Sequence, residues 1–509
     1  MSDKFLDGMV EEANWKKTEN GADALGSTKD ALLDLFGTIG GLRTRSDSDI
    51  EKAFCAAYEE DKLLALKMLF YARNIRGGLG ERNVFRVILK WMANRDPEIL
   101  RANFKSIVDF GRWDDFYSFV GTPLEKDAFT YLEWHFSYDL ASMRDKTSVS
   151  LVGKWLKSVN SHSKETRKLG QLTAKYFGLS EKEYRQKLAK LRKYLNVVET
   201  YMSAKDWSDI KYPGVPSKAM NNYHGAFKKN DDERFTKYLE DVKNGKAKIN
   251  ASTLYPYDLV EKYIGYGHSS AGAFDPTVEA QWKALPNYVE GENNFMVMAD
   301  TSGSMTGRPL CTSVGLAIYF AERNHGPYKD KFMTFAARPK FITLHGDTLA
   351  DKLNCVEWGI CENTDVEAAF NLILKVAVDN KLEQSDLPKS LIIISDMEFD
   401  EAQSYWGREA PKRETYTTLM AEKYAKHGYK LPTIVYWNVN ARQNTFHAKA
   451  DEDGIQFISG QSASCFKDLI RGNNLTAKEL MLQAITDPMY DGVTIDAKIN
   501  DRPVVLQSD

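Results

Sequence analysis

Cysteine is scarce in this chain: five residues in 509, and none forms a CxxC pair. Cys355 and Cys361 lie close in sequence but have no His or Cys partner set nearby. A structural zinc site is therefore not expected, and the five read as free thiols of a reducing cytoplasm. Histidine is nearly as sparse, with eight residues and no Ser–His–Asp arrangement. No apolar run approaches the roughly 18–20 residues that a membrane helix needs. The opening residues, MSDKFLDGMVEEANWKK, have no apolar core, so no secretory signal is expected there. RGGLGER (Arg76–Arg82) has glycines but lacks the Lys-Ser/Thr of a phosphate-binding loop.

What is present describes an ordinary globular protein, 43% hydrophobic and 27% charged, long enough for two to four domains. The net charge of −3 hides an asymmetry. Residues 150–250 hold 22 Lys and Arg against 11 Asp and Glu. A basic block inside a mildly acidic chain points to an anionic partner, or else to solvated helix faces.

The first half reads as consecutive helices: Ser48–Ile75, Asn83–Arg95, Glu98–Gly111, Glu181–Ala204 and Asp231–Gly245. Short turns join them without strand alternation, which predicts stacked helical pairs in an α-solenoid, curved or ring-like, over residues 1–285. Near Ala280 the texture changes. Strands are expected at Phe295–Ala299, Lys331–Phe335, Leu391–Ser395 and Thr433–Asn438. Helices are expected at Ser313–Asn324, Asp365–Asp379 and Glu414–His427. That alternation predicts an α/β domain with a mostly parallel sheet over residues 290–475. A last helix, Ala477–Thr486, opens a polar segment over 476–509, in which PVVL could pair as a short strand.

The first expected strand runs into oxygen-bearing side chains, NFMVMADTSGSM (Asn294–Met305). Such groups are costly to bury unsatisfied. In open α/β sheets ligands sit at the carboxyl ends of strands. Asp300, Ser302 and Ser304 fall there, as do Thr364 ahead of a helix and Asp396 after the apolar LIIIS. Five hard oxygen donors suit Mg²⁺ first and Mn²⁺ second, with water completing the shell. The competing role for Ser302 and Ser304 is helix capping. This constellation resembles the metal-ion-dependent adhesion site of the von Willebrand factor A domain. The resemblance implies that Ser302 and Ser304 coordinate directly and Thr364 directly or through water. Asp300 and Asp396 would bind directly or from behind that shell. A phosphatase of the haloacid dehalogenase type would need a second Asp where Ser302 stands, so hydrolysis is the weaker reading.

Basic residues gather in three places. Arg73, Arg76, Arg82 and Arg86 surround the glycine turn, where guanidinium groups and backbone amides could hold a phosphate. Arg185, Lys187, Lys190, Arg192 and Lys193 crowd one helix. Lys218, Tyr223, His224, Phe227, Lys228 and Lys229 mix cations with aromatics that could stack on unpaired bases, unless Tyr223 and Phe227 face a core. A helical front half followed by a metal-site A domain resembles the Ro autoantigen family, whose front half is the TROVE module. Closer still, RNIRGGLGER, YPGVPSKAMNNYHGAF and LIIISDMEFD resemble an uncharacterised family of plants, fungi and viruses with the same layout. The Ro resemblance implies a non-enzymatic protein that binds small structured or single-stranded-ended RNA. The free thiols lead us to expect a cytoplasmic location, that of the host if the chain is viral. The rival expectation is a scaffold whose metal site captures an acidic partner residue. A metal-dependent phosphoesterase using Asp300 and Asp396 comes third.

Overall fold

Two wholly apolar stretches, Phe295–Ala299 and Leu391–Ile394, become neighbouring central strands, because only a sheet covered on both faces can bury them. The structure is a computed structural model that describes residues 4–264, 272–289, 294–335, 339–356, 364–401, 414–471 and 475–497. The chain divides into two units. The first comprises Met1–Ala65, Arg76–Glu81 and Ala251–Asp487, and the second Leu66–Ile75, Arg82–Asn250 and Pro488–Asp509.

In the first unit, β1 (Trp15–Lys17) and β2 (Asp23–Leu25) form an antiparallel pair. The main sheet holds β3 (Phe295–Asp300), β4 (Lys331–Phe335), β5 (Lys340–Thr343), β6 (Ser390–Ser395), β7 (Thr433–Asn438) and β8 (Ile455–Ser459). Their order is β5-β4-β3-β6-β7-β8, parallel throughout except for β5 at one edge. The chain leaves β3 towards β4 and returns to β6 on the other side. The order thus reverses between β3 and β6, where such sheets open a ligand crevice. The helix Arg308–Arg323 is buried continuously from Leu310 to Ala321. It packs so closely on the helix Pro256–Tyr263 that a Cβ on Gly315 would lie 3.2 Å from the Pro256 carbonyl carbon.

The four expected strands are present, and β1, β2, β5 and β8 are additional. The expected helical block over residues 1–285 does not coincide with one compact unit: Met1–Ala65, Arg76–Glu81 and the residues from Ala251 onward group with the sheet. Leu25 exchanges backbone hydrogen bonds of 2.9 and 3.0 Å with Phe446. Gly40 passes so near Gly460 that a Cβ there would lie 2.5 Å from the Gly460 Cα.

The second unit contains no strand among its described residues. Three helices expected to be continuous are broken. Asp61 ends Asp47–Glu60 and caps the next helix, accepting from the Leu64 amide at 2.9 Å. Asn103 separates Pro97–Ala102 from Phe104–Phe110. Asn196, with φ +52°, separates Glu181–Tyr194 from Val198–Ala204. The helix Ala477–Ile485 lies in the first unit, while Tyr490 packs on Tyr71 in the second and takes a 3.1 Å hydrogen bond from Asn74. PVVL lies outside the described residues.

The core of the second unit is aromatic: Phe116 stacks on Tyr131 at 5.3 Å, and His135 lies 4.7 Å from Trp113 and 4.6 Å from Tyr131. Burial pushes the His135 imidazole down to about 4. It is neutral in the folded protein and takes up its proton only on unfolding. Its contribution is therefore complete above about pH 6.5 and is lost as pH falls towards 4. His135→Phe should recover about 2–3 kcal/mol at pH 4 relative to pH 7. Urea denaturation followed by circular dichroism at the two pH values checks this. An unchanged pH dependence would contradict a neutral His135.

Candidate functional site

Asp300 ends β3 and Asp396 follows β6, so two carboxylates meet at the carboxyl ends of adjacent central strands. Both are sealed in, at 0% and 1% exposure. Asp300 Oδ1 accepts from the Ser302 amide at 2.9 Å, and Oδ2 accepts from Ser395 Oγ at 2.6 Å. Ser302 Oγ stands 3.1 Å from Ser304 Oγ. Adjacent oxygen ligands of an octahedral Mg²⁺ at about 2.1 Å are separated by about 3.0 Å, so the hydroxyl pair has the spacing of a coordination edge. Ser302 and Thr364 are buried and Ser304 half-buried.

Burial first, and then the Asp396 charge, push the Asp300 carboxyl up to about 6. Asp396 Oδ1 accepts from the Glu398 amide at 3.3 Å. Asp396 Oδ2 has no hydrogen bond of good geometry, although Arg442 Nη2 lies 3.0 Å away. Arg442 also pairs with Glu19 at 2.8 Å. Between these groups runs the N-terminal strap. Thr18 Oγ1 donates to the Phe399 carbonyl at 2.6 Å, and the Glu19 amide to Glu398 Oε2 at 2.7 Å. Met397 holds a left-handed φ of +67°, strain placed directly after Asp396. His447 braces this residue, lying 2.9 Å from the Met397 carbonyl through Nε2.

The structure thus brings Asp300, Ser302 and Ser304 together with Asp396, and places Thr364 at the head of the helix Val366–Asp379. Among the described residues no group of three or more His, Cys, Asp or Glu is arranged to hold a metal. Any cation here would depend on the hydroxyls. The donor chemistry fits one: a carboxylate oxygen held by an ion pair alone, a hydroxyl pair at ligand spacing and two buried carboxylates that repel each other. Ser395, Glu398, Arg442 and Glu19 were missed in the sequence. Ser395 alone had a signal, as the one polar residue closing an apolar strand.

The cationic residues divide sharply. Arg73 is 4% exposed and paired with Asp115 at 2.9 Å, so it is a core ion pair and not a surface ligand. Arg192 donates to the Gly153 and Leu156 carbonyls and to Ser158 Oγ at 3.0, 2.6 and 2.8 Å, so it fastens its helix to the segment from Gly153 to Ser158. Both expectations of an RNA contact are corrected. Arg76 is exposed but belongs to the first unit, while Arg73, Arg82 and Arg86 belong to the second. Tyr223 donates to Glu199 at 3.2 Å and leans edge-on against buried Phe227. His224 Nδ1 lies 2.9 Å from the Asn221 carbonyl, and Lys187 is half-buried. Lys218 is exposed, as are Arg82, Arg185, Lys193, Lys228 and Lys229. Among the described residues these last five form no ion pair. No described helix is long and apolar enough to cross a membrane.

A family model described as a domain of unknown function (DUF2828) matches residues 18–132 and 142–292. A second, described as a domain of unknown function (DUF7788), matches 294–501. The uncharacterized protein L728 of Acanthamoeba polyphaga mimivirus is 27% identical, over 96% of this chain and 90% of that protein. The crystal structure of the Deinococcus radiodurans RO (RSR) protein aligns over 90% of this chain and 99% of that one, with 13% identity and a TM-score of 0.42. That score is too low to equate the two folds.

The Asp300 shift sets a pH window. Between its ordinary value near 4 and about 6 the folded chain keeps a proton that the unfolded chain has released, so stability falls as pH rises through that range. Above it Asp300 is charged beside Asp396, and a divalent cation would offset the repulsion. Mn²⁺ is therefore expected to raise the unfolding temperature at about pH 7.5 and to have little effect at about pH 5. Ser302→Ala with Ser304→Ala should weaken Mn²⁺ binding at least about tenfold, read by loss of the free-ion electron paramagnetic resonance signal. Equal binding by the double variant would remove the hydroxyls from the ligand set.

Proposed function

The chain belongs to the family described as a domain of unknown function (DUF2828); since that kinship names no activity, we propose from the chemistry of its surface that it is a non-enzymatic RNA-binding protein of the Ro type. In this reading the helical unit is a TROVE-like, HEAT-like array that takes small structured RNA or a single-stranded end. The sheet unit is a von Willebrand factor A-type domain holding a divalent cation, Mg²⁺ before Mn²⁺, at Asp300, Ser302, Ser304, Thr364 and Asp396. The proposed location is the cytoplasm.

One observation carries the RNA reading: exposed cations that form no ion pair among the described residues. Arg185 and Lys193 stand on the helix Glu181–Tyr194, and Lys228 and Lys229 on Ser217–Asn230. They sit in a stretch with twice as many basic as acidic residues. Unpaired, hydrated cations of this kind bind polyanions mainly by releasing condensed counterions, which makes affinity steeply salt-dependent. Tyr223 and His224, both half-buried on the helix that carries Lys228, would stack on an unpaired base. In the sheet unit a cation would keep open positions, which water or an acidic partner side chain could fill.

Replacing Arg185, Lys193, Lys228 and Lys229 by Glu is expected to abolish binding of a labelled hairpin with a single-stranded tail at low salt. Ser302→Ala with Ser304→Ala should leave that affinity within about twofold. The wild-type affinity should fall linearly in log–log form with salt, with a slope set by the number of phosphates neutralised. Gel-shift titrations over a salt series measure both. No binding by wild type at low salt would reject the RNA role and leave the scaffold reading, tested next with acidic peptides and Mn²⁺. Phosphoester turnover in Mg²⁺ that disappears in Asp300→Asn would reject the non-enzymatic assignment.

A further inference from the structure

The second unit contains a guanidinium cluster whose members are far apart in sequence. Asp114 and Asp115 lie at its centre, both at most 4% exposed. Arg73 binds Asp115 at 2.9 Å. Arg86 reaches Asp115 at 2.7 Å and Asp114 at 2.9 Å. Arg112 clasps Asp114 through Nε and Nη2, both at 2.8 Å. Lys157 approaches Asp114 at 3.2 Å. Arg82 is the fifth cation. It reaches the surface and donates to no group among the described residues. Partial burial and repulsion from Arg112, Arg86 and Arg73 lower its affinity for its proton.

Five cations share two carboxylates, an excess of three positive charges in this cluster. Such an arrangement costs free energy unless an anion completes it. The donors support the same conclusion. Arg82 has its whole guanidinium undonated, and Arg112 Nη1 and Arg86 Nη1 make no hydrogen bond among the described residues. Arg112 is pinned in place, its guanidinium carbon 3.9 Å from the centre of the half-buried Trp155 ring. The donor fork is therefore oriented before any ligand arrives, which lowers the ordering cost of binding. The helix Asn83–Arg95, which begins beside Arg82, has no side-chain cap and no acidic residue in its first turn.

We propose that Arg82, Arg86 and Arg112, with Lys157, form an oxyanion site for a phosphate monoester. A monoester carries nearly two negative charges at neutral pH and three acceptor oxygens, against the single charge of a backbone phosphodiester. It matches a cluster with three excess charges and several free N–H donors better than an internal linkage does. The phosphate could be the end group of an RNA or free phosphate. The first of these sources rests on the RNA reading above; the site itself does not.

Calorimetric titration of the full-length protein at constant ionic strength tests this with three ligands: inorganic phosphate, a short oligoribonucleotide with a 5′-phosphate, and the same oligonucleotide with a 5′-hydroxyl. Arg82→Gln is the diagnostic variant, because Arg82 holds nothing in the fold and its loss should leave the unfolding temperature unchanged. Lys228→Gln is the control for general charge. The expected result is binding of phosphate by wild type, weakened at least about tenfold by Arg82→Gln and unaffected by Lys228→Gln. Preference for the 5′-phosphate would assign the phosphate to an RNA end, whereas equal affinity for the two oligonucleotides would assign the site to free phosphate. Phosphate binding without salt-sensitive oligonucleotide binding would keep the site and reject the RNA role. Wild type that takes no phosphate, or Arg82→Gln that takes it equally well, would overturn the site.

Discussion

Two carboxylates buried side by side, Asp300 and Asp396, are the constraint around which the sheet unit is organised. Like charges at the ends of adjacent strands repel, and burial deepens the cost of ionising both. The surrounding structure is a set of compensations. Ser395 and the Ser302 amide hold Asp300. Arg442 faces Asp396 and is itself anchored by Glu19. The strap that delivers Glu19 lies along the loop after β6, fixed through Thr18 and the Glu19 amide. A divalent cation would add to these compensations, and the 3.1 Å spacing of Ser302 and Ser304 hydroxyls gives it a coordination edge.

The helical unit solves the inverse problem. There the excess charge is positive, and two adjacent carboxylates are buried together. Asp114 and Asp115 draw Arg73, Arg86, Arg112 and Lys157 around one buried centre. The exposed Arg185, Lys193, Lys228 and Lys229 form no ion pair among the described residues. The unit therefore presents two kinds of positive surface: a pre-oriented guanidinium cluster near Arg82, and loosely hydrated ammonium and guanidinium groups at Arg185, Lys193, Lys228 and Lys229. The first suits a compact, highly charged group and the second an extended polyanion.

Much of this was legible in the sequence where a local rule and a tertiary demand agree. A wholly apolar strand followed by Asp-x-Ser-x-Ser announces both a central strand and a polar crevice at its end, and Phe295–Ser304 does both. Edge elements were illegible for the converse reason: β5 has four residues with only one buried, and β8 carries the polar Gln456 within its apolar run. The helix breaks at Asp61 and Asn196 turn on single residues whose side chain or left-handed backbone outweighs the surrounding periodicity. Charge was read least well. Arg73 and Arg192 look like their neighbours in the sequence, but their partners lie 42 and at least 34 residues away, and nothing local distinguishes a buried guanidinium from a free one. The division of the chain was likewise hidden. The family matches change at 292 to 294, where the sequence texture changes, yet the first 65 residues belong to one compact unit with residues 251–487.

That last arrangement has a kinetic consequence for a chain made from its N-terminus. Ala65 emerges from the ribosome about 190 residues before the first of its unit's remaining long segment, and more than 400 before Asp487 closes it. At about 5–20 residues per second, the strap and the helix Ala31–Phe36 wait roughly 20–80 s with their apolar faces uncovered while residues 82–250 of the helical unit and then the rest of their own unit are made. The segment around Leu25, Leu33 and Phe36 is thus the part of the nascent chain most in need of a chaperone. It is also the part whose late docking would set the time at which the crevice between β3 and β6 acquires Glu19, and with it a properly anchored Arg442.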